Sequence, residues 1–103
     1  MRIREKRYGH IFEVFVVYWV REQTYYLAFP RRSTGLSAFL DSEVEVVDPN
    51  IGADFISWTF LNGIQGIAHR HLIQHDLLDS LVEHDPEAYS KFLSLLGREP
   101  LEG

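Results

Sequence analysis

The sequence predicts an α+β fold: an antiparallel β-sheet of about three to five strands from roughly the first sixty residues, packed by two C-terminal helices. Three observations predict it. β-type runs rich in Val, Phe, Tyr and Trp fall in the first sixty residues, whereas helical spacing and helix caps fall after them. The first two runs are separated by only a short polar break, which favours a hairpin over a crossover. A hydrophobic fraction of 46% and an aromatic fraction of 14% in 103 residues argue for one packed domain over residues 1–103 rather than a disordered chain.

Residues 1–7 alternate charge with Ile3 and read as a short edge strand or a flexible basic arm. Residues 11–20 are the clearest strand, with Phe12, Val14, Val16, Tyr18 and Val20 on one face and Ile11, Glu13, Phe15, Val17 and Trp19 on the other. Both faces are mostly apolar, so this strand belongs at the centre of the sheet. Arg21, Glu22 and Gln23 break the run, and residues 24–29 return as its hairpin partner. Residues 30–35 are a loop with two adjacent arginines and none of the features of a phosphate loop. Residues 36–40 are ambiguous. Residues 42–48 alternate, with Glu43 and Glu45 facing water and Val44 and Val46 facing inward. Asp48, Pro49 and Asn50 form a turn. In residues 54–61 alternation groups Ile56, Trp58 and Phe60, which favours a strand over a helix started by Pro49.

Residues 62–84 are predicted as one long helix. Asn62 is a suitable N-cap, with Gln65 placed to complete a capping box. Ile64, Ile67, Ala68, His71, His75, Leu78 and Val82 then recur at spacings of three and four along one side. Asp85 and Pro86 start a second helix as N-cap and first residue, Glu87 suits its positive end, and Gly97 stops it. Residues 98–103 are a tail.

The net charge of −5 conceals a division. Residues 1–40 hold seven Lys/Arg against three Asp/Glu, a net +4, and residues 41–103 hold three against twelve, a net −9. No cysteine is present, which removes disulfides, thiol nucleophiles and Cys-based zinc sites and fits a reducing compartment. The basic start lacks the pattern of a signal peptide, and no apolar stretch approaches the roughly 20 residues that span a bilayer. A cytoplasmic location is the expectation.

No catalytic residue is assigned. There is no Gly-x-Ser-x-Gly elbow and no glycine-rich dinucleotide fingerprint, so the expectation is not an enzyme and no cofactor. His71 and His75 are an i, i+4 pair able to chelate a metal from one helix. Asp79 would lie roughly 12 Å along the axis from His71 at about 1.5 Å per residue, too far to complete the site, so no metal is expected.

What remains is the acidity. On the predicted elements Glu43, Glu45 and Asp48 mark one strand, and Asp76, Asp79 and Glu83 form a stripe along the long helix. These six are the candidate partner-binding residues. A clustered acidic surface can imitate phosphate to a nucleic-acid enzyme and speed encounter with it. The function this favours is a small acidic binding protein that neutralises a basic protein partner, as an immunity protein neutralises a nuclease toxin. A homodimer is compatible with it. The alternatives are a nucleic-acid-binding regulator acting through the basic N-terminal portion, for which four cations without interleaved aromatics are a weak signal, and an accessory subunit without catalytic activity.

Overall fold

The computed structural model describes residues 1–30, 33–60 and 63–98, and its α+β architecture is organised by one long strand. Among these residues seven antiparallel strands lie in order: β1 (Arg2–Glu5), β2 (Ile11–Val20), β3 (Gln23–Ala28), β4 (Ser37–Leu40), β5 (Val44–Asp48), β6 (Phe55–Thr59) and β7 (Gln65–His69). Three helices follow: α1 (Arg70–Gln74), α2 (Leu78–Val82) and α3 (Pro86–Leu95). The sheet is larger than the three to five strands predicted. Residues 1–7 supply an interior strand, residues 36–40 supply a short one, and part of the predicted long helix supplies β7.

β2 is shared by two halves of the sheet. Its first residues pair with β1 (Arg2↔Glu13, Ile3↔Phe12, Arg4↔Ile11) and its last with β7 (Val16↔Ala68 to Trp19↔Gln65), while β3 runs along its other edge. β1 therefore sits between β2 and β5 and is neither an edge strand nor an arm. Between Val14 and Val16 the β2–β3 register slips, which leaves Phe15 as the extra residue of a β-bulge. The slip exchanges the two faces. Before it Phe12 and Val14 share a core with Val17 from beyond it, whereas Phe15 and Val16 both join the opposite core. The uninterrupted alternation read from the sequence is corrected accordingly.

The first core holds Ile3, Phe12, Val14, Val17, Tyr26, Ala28 and Val44. It is enclosed because the path β4-β3-β2-β1-β5 curls on itself. The ends of that path, β4 and β5, are joined by a single 3₁₀ turn at Asp41–Glu43. Three residues rising about 2.0 Å each keep those ends within about 10 Å. The Lys6 N–H donates to the Glu43 carbonyl (3.0 Å) and the Tyr26 hydroxyl to Asp41 Oδ1 (3.0 Å), tying the closure together. Glu43 thus lies in the turn, not on the strand, and does not share a strand face with Glu45. A second bulge at Val47 leaves Val46 and Val47 both exposed, where Val46 was expected inside.

The second core lies between the opposite face of the sheet and the helices. It joins Phe15, Val16, Leu27 and Ala68 to Leu72, Leu77, Leu81, Ala88, Tyr89, Phe92 and Leu93. The predicted helix over 62–84 is overturned. Asn62 lies outside the described residues, and Gln65 begins a strand instead of closing a capping box. In β7, alternation places Ile67 against the first core and Ala68 in the second, while His75 and Val82 are exposed. Gly66 permits the close strand approach: a Cβ there would stand 2.4 Å from the Val17 carbonyl oxygen.

The remaining helical stretch is cut into α1 and α2 by successive Schellman stops. Asp76 (φ 52°) reverses the chain after α1, with Asp76 N–H donating to Ile73 and Leu77 N–H to Leu72. His84 (φ 63°) does the same after α2, with bonds from His84 to Leu81 and from Asp85 to Ser80. α3 starts as predicted, with Asp85 Oδ1 accepting the Glu87 N–H (3.0 Å) and Pro86 in the first turn, and it ends at Gly97. Among the described residues there are thus three short helices where two were predicted. No helix among the described residues is long and apolar enough to cross a membrane.

Candidate partner-binding groove

β6 forms as predicted, in regular antiparallel register with β7 from Phe55↔His69 to Thr59↔Gln65. Residues opposite one another share a face. Ile56, opposite Ala68, and Trp58, opposite Gly66, therefore turn toward the helices. Phe60, just beyond the strand, lays its ring over Gly66 and packs against the second core. Trp58 is 41% exposed at the outer margin of this face.

The helices supply the opposite wall. α1 ends at Gln74, and the left-handed residue Asp76 swings the chain so that buried Leu77 anchors the start of α2. That reversal sets Asp76 and Asp79 on the same cleft as β6. The cleft has a volume of about 370 Å³. Leu72 is its buried floor, Phe60, Ile73 and Leu78 are half-buried, and Trp58, Thr59, Asp76 and Asp79 form its exposed rim.

Several acids outside this rim are held by cations. Glu45 is held by Arg4, Asp54 by Arg70 (2.9 Å), and Glu13 by the forked guanidinium of Arg98 (2.7 and 3.1 Å). Among the described residues Asp76 and Asp79 have no such cation. The structure thus brings two of the six candidate residues together. Glu43 is engaged by the Leu40 N–H (2.9 Å), and Asp48 accepts the Asn50 N–H (3.1 Å) in a turn. Glu83 caps the far end of α2 and does not line the cleft. The predicted stripe of Asp76, Asp79 and Glu83 on one helix is corrected, since Asp76 stands between two helices.

The histidines are also redistributed. Of the pair expected on an apolar face, His75 is exposed and His71 is half-buried, with its Nδ1 buried and without a hydrogen-bond partner. The buried histidine is His69, the last residue of β7, and it contacts Phe15, Phe55 and Phe92. It caps α1: its Nδ1 accepts the His71 N–H (3.2 Å), which requires a ring nitrogen without a proton. Burial, followed by the neighbouring His71 ring 5.1 Å away, lowers its pKa, and the Asp54 carboxylate partly opposes this. No group of three His, Asp or Glu side chains converges on a metal position among the described residues.

Sequence reasoning missed Trp58 as a groove wall and His69 as the buried imidazole. The visible signal for Trp58 was its place on the same strand face as Ile56 and Phe60. No protein-family model, curated protein or solved structure matches the chain.

Proposed function

We propose that the protein is a small acidic binding module that neutralises a basic protein partner, acting in the cytoplasm as an inhibitor of the kind that silences a nuclease toxin. The observation that carries this reading is the pair Asp76 and Asp79, without a cation among the described residues, on the rim of an apolar cleft beside exposed Trp58. A carboxylate pair beside an aromatic ring suits a Lys or Arg side chain. The cleft takes the aliphatic stem and the rim takes the charge. Part of the basic N-terminal portion is matched by acids within the sheet: Arg4 is ion-paired to Glu45, and Arg2 lies in register between Glu13 and Asp48. That pairing favours a protein partner over the regulator reading.

The test is association with a basic protein captured from the source cell, compared across charge-reversed variants. Asp76→Lys with Asp79→Lys should slow association at least tenfold and flatten its salt dependence. Glu43→Lys with Glu45→Lys should have a small effect. The captured protein should lose its activity when mixed with wild-type protein and keep it with the Asp76/Asp79 variant. Equal capture by all variants would refute the reading.

A further inference from the structure

Among the described residues three strands have a free edge, and two of them are blunted. β5 carries the Val47 bulge and the charged residues Glu45 and Asp48. β4 is four residues long and runs directly into the 3₁₀ turn that bends it toward β5. Natural sheets protect edges in these ways because unpaired N–H and C=O groups invite another strand. β6, at five residues, is also short, but it carries neither a bulge nor a charge and does not run into a closing turn of the sheet. Its register with β7 is unbroken, Phe55–Thr59 contains no proline and no charge, and Ser57, Trp58 and Thr59 are exposed. This unblunted edge borders the acidic cleft.

We propose that the free edge of β6 takes an extended basic segment of the partner as an additional strand, with one of its Lys or Arg side chains entering the Trp58 cleft between Asp76 and Asp79. The proposal rests on the binding-module reading above and specifies its mode. An added strand lies about 4.8 Å from β6, and alternate side chains of it point to the helix side, where Trp58 points. A side chain leaving at that level meets the apolar wall of Ile73 and Leu78 with its stem and the two carboxylates with its head. Backbone bonds to β6 supply affinity, and the cleft selects the cation. A second copy of this chain fits less well, because it carries a net charge of −5 and would bring its own acids to this rim.

The test uses an acetylated, amidated seven-residue peptide alternating arginine with valine, and two copies N-methylated on alternate residues in the two opposite phases. The protein carries Trp19→Phe, so that Trp58 is the sole tryptophan reporter. The unmodified peptide should perturb Trp58 fluorescence and protect backbone amides of β6 from hydrogen exchange. One N-methylated copy should bind at least tenfold more weakly, because blocked backbone bonds each cost up to about tenfold, and the other should bind like the parent. Asp76→Asn and Asp79→Asn should each weaken binding several-fold and flatten its salt dependence. Equal binding of both N-methylated copies, with the Asp dependence intact, would overturn strand addition and leave the binding-module reading standing. Loss of the Asp dependence would overturn both. No binding up to about 1 mM, or β6 amides protected without peptide in a concentration-dependent dimer, would also overturn the proposal.

Discussion

A neutral imidazole at a helix N-cap links one residue to the pH behaviour of the protein. His69 caps α1 only while its Nδ1 is free of a proton, and the groups facing it are His71, Arg70, Asp54 and Glu13. Its folded pKa is lowered, so below the ordinary histidine value of about 6.5 the unfolded chain binds the proton more strongly. Stability should therefore be complete above about pH 6.5 and decline as pH falls below it. Burial lowers the pKa of His71 as well, which acts in the same direction. His69→Asn retains a capping oxygen without a titrating ring. Urea unfolding followed from pH 7.5 to 5 should show a shallower decline for this variant than for wild type. An unchanged slope would mean that His69 does not carry the effect. Asp76 shows the same economy of position, since the left-handed residue that ends α1 is also the residue that brings a carboxylate to the cleft.

At the level of elements, turns decide what the strands and helices become. Arg21 (φ 50°) and Glu22 (φ 69°) both occupy the left-handed region, the requirement of a two-residue I′ hairpin. Asn and Gly meet that requirement with less strain than Arg and Glu. Replacing Arg21-Glu22 with Asn-Gly should stabilise the protein by about 1 kcal/mol and raise the melting temperature by several degrees. Calorimetry that finds no increase would count against strain at this turn. The hairpin was legible from the apolar runs alone, as were β6 and the Asp85-Pro86 start of α3, because each rests on local chemistry. The break between α1 and α2 was not. Its left-handed stop is Asp76, where the expected sign is glycine, so spacings of three and four ran across it unmarked. β7 was hidden because Ile67, Ala68 and His69 sit at helical spacing as readily as strand spacing, and the preference for a strand comes from β2 and β6 on either side. The cleft was half legible: Asp76 and Asp79 were singled out, but the wall they face belongs to a strand that precedes them by some twenty residues. The Phe15 bulge leaves no mark in an apolar run.

For the whole molecule, β2 makes two cores into one cooperative structure. Phe15 and Val16 face the helices while Phe12, Val14 and Val17 face the curled sheet, so neither core can be lost without disturbing the same strand. Ile3→Ala in one core and Phe92→Ala in the other should each destabilise by about 3 kcal/mol or more, since both side chains are fully buried. In both variants, far-ultraviolet and near-ultraviolet circular dichroism should report one coincident unfolding transition. Separated transitions would show that the two cores melt independently. The same arrangement has a consequence for the order in which the protein forms. The β2–β3 and β6–β7 hairpins join near neighbours and can form early, whereas the β1–β5 seam joins residues about forty apart and must await the turn at Asp41–Glu43. Until that seam closes, β1 and β5 present raw edges to the medium, and the core beneath them that holds Ile3 and Val44 is open. The late-closing seam is therefore the window in which a nascent chain is most exposed to misassociation, and the charges of Arg4 and Glu45 stand guard on the strands that close it.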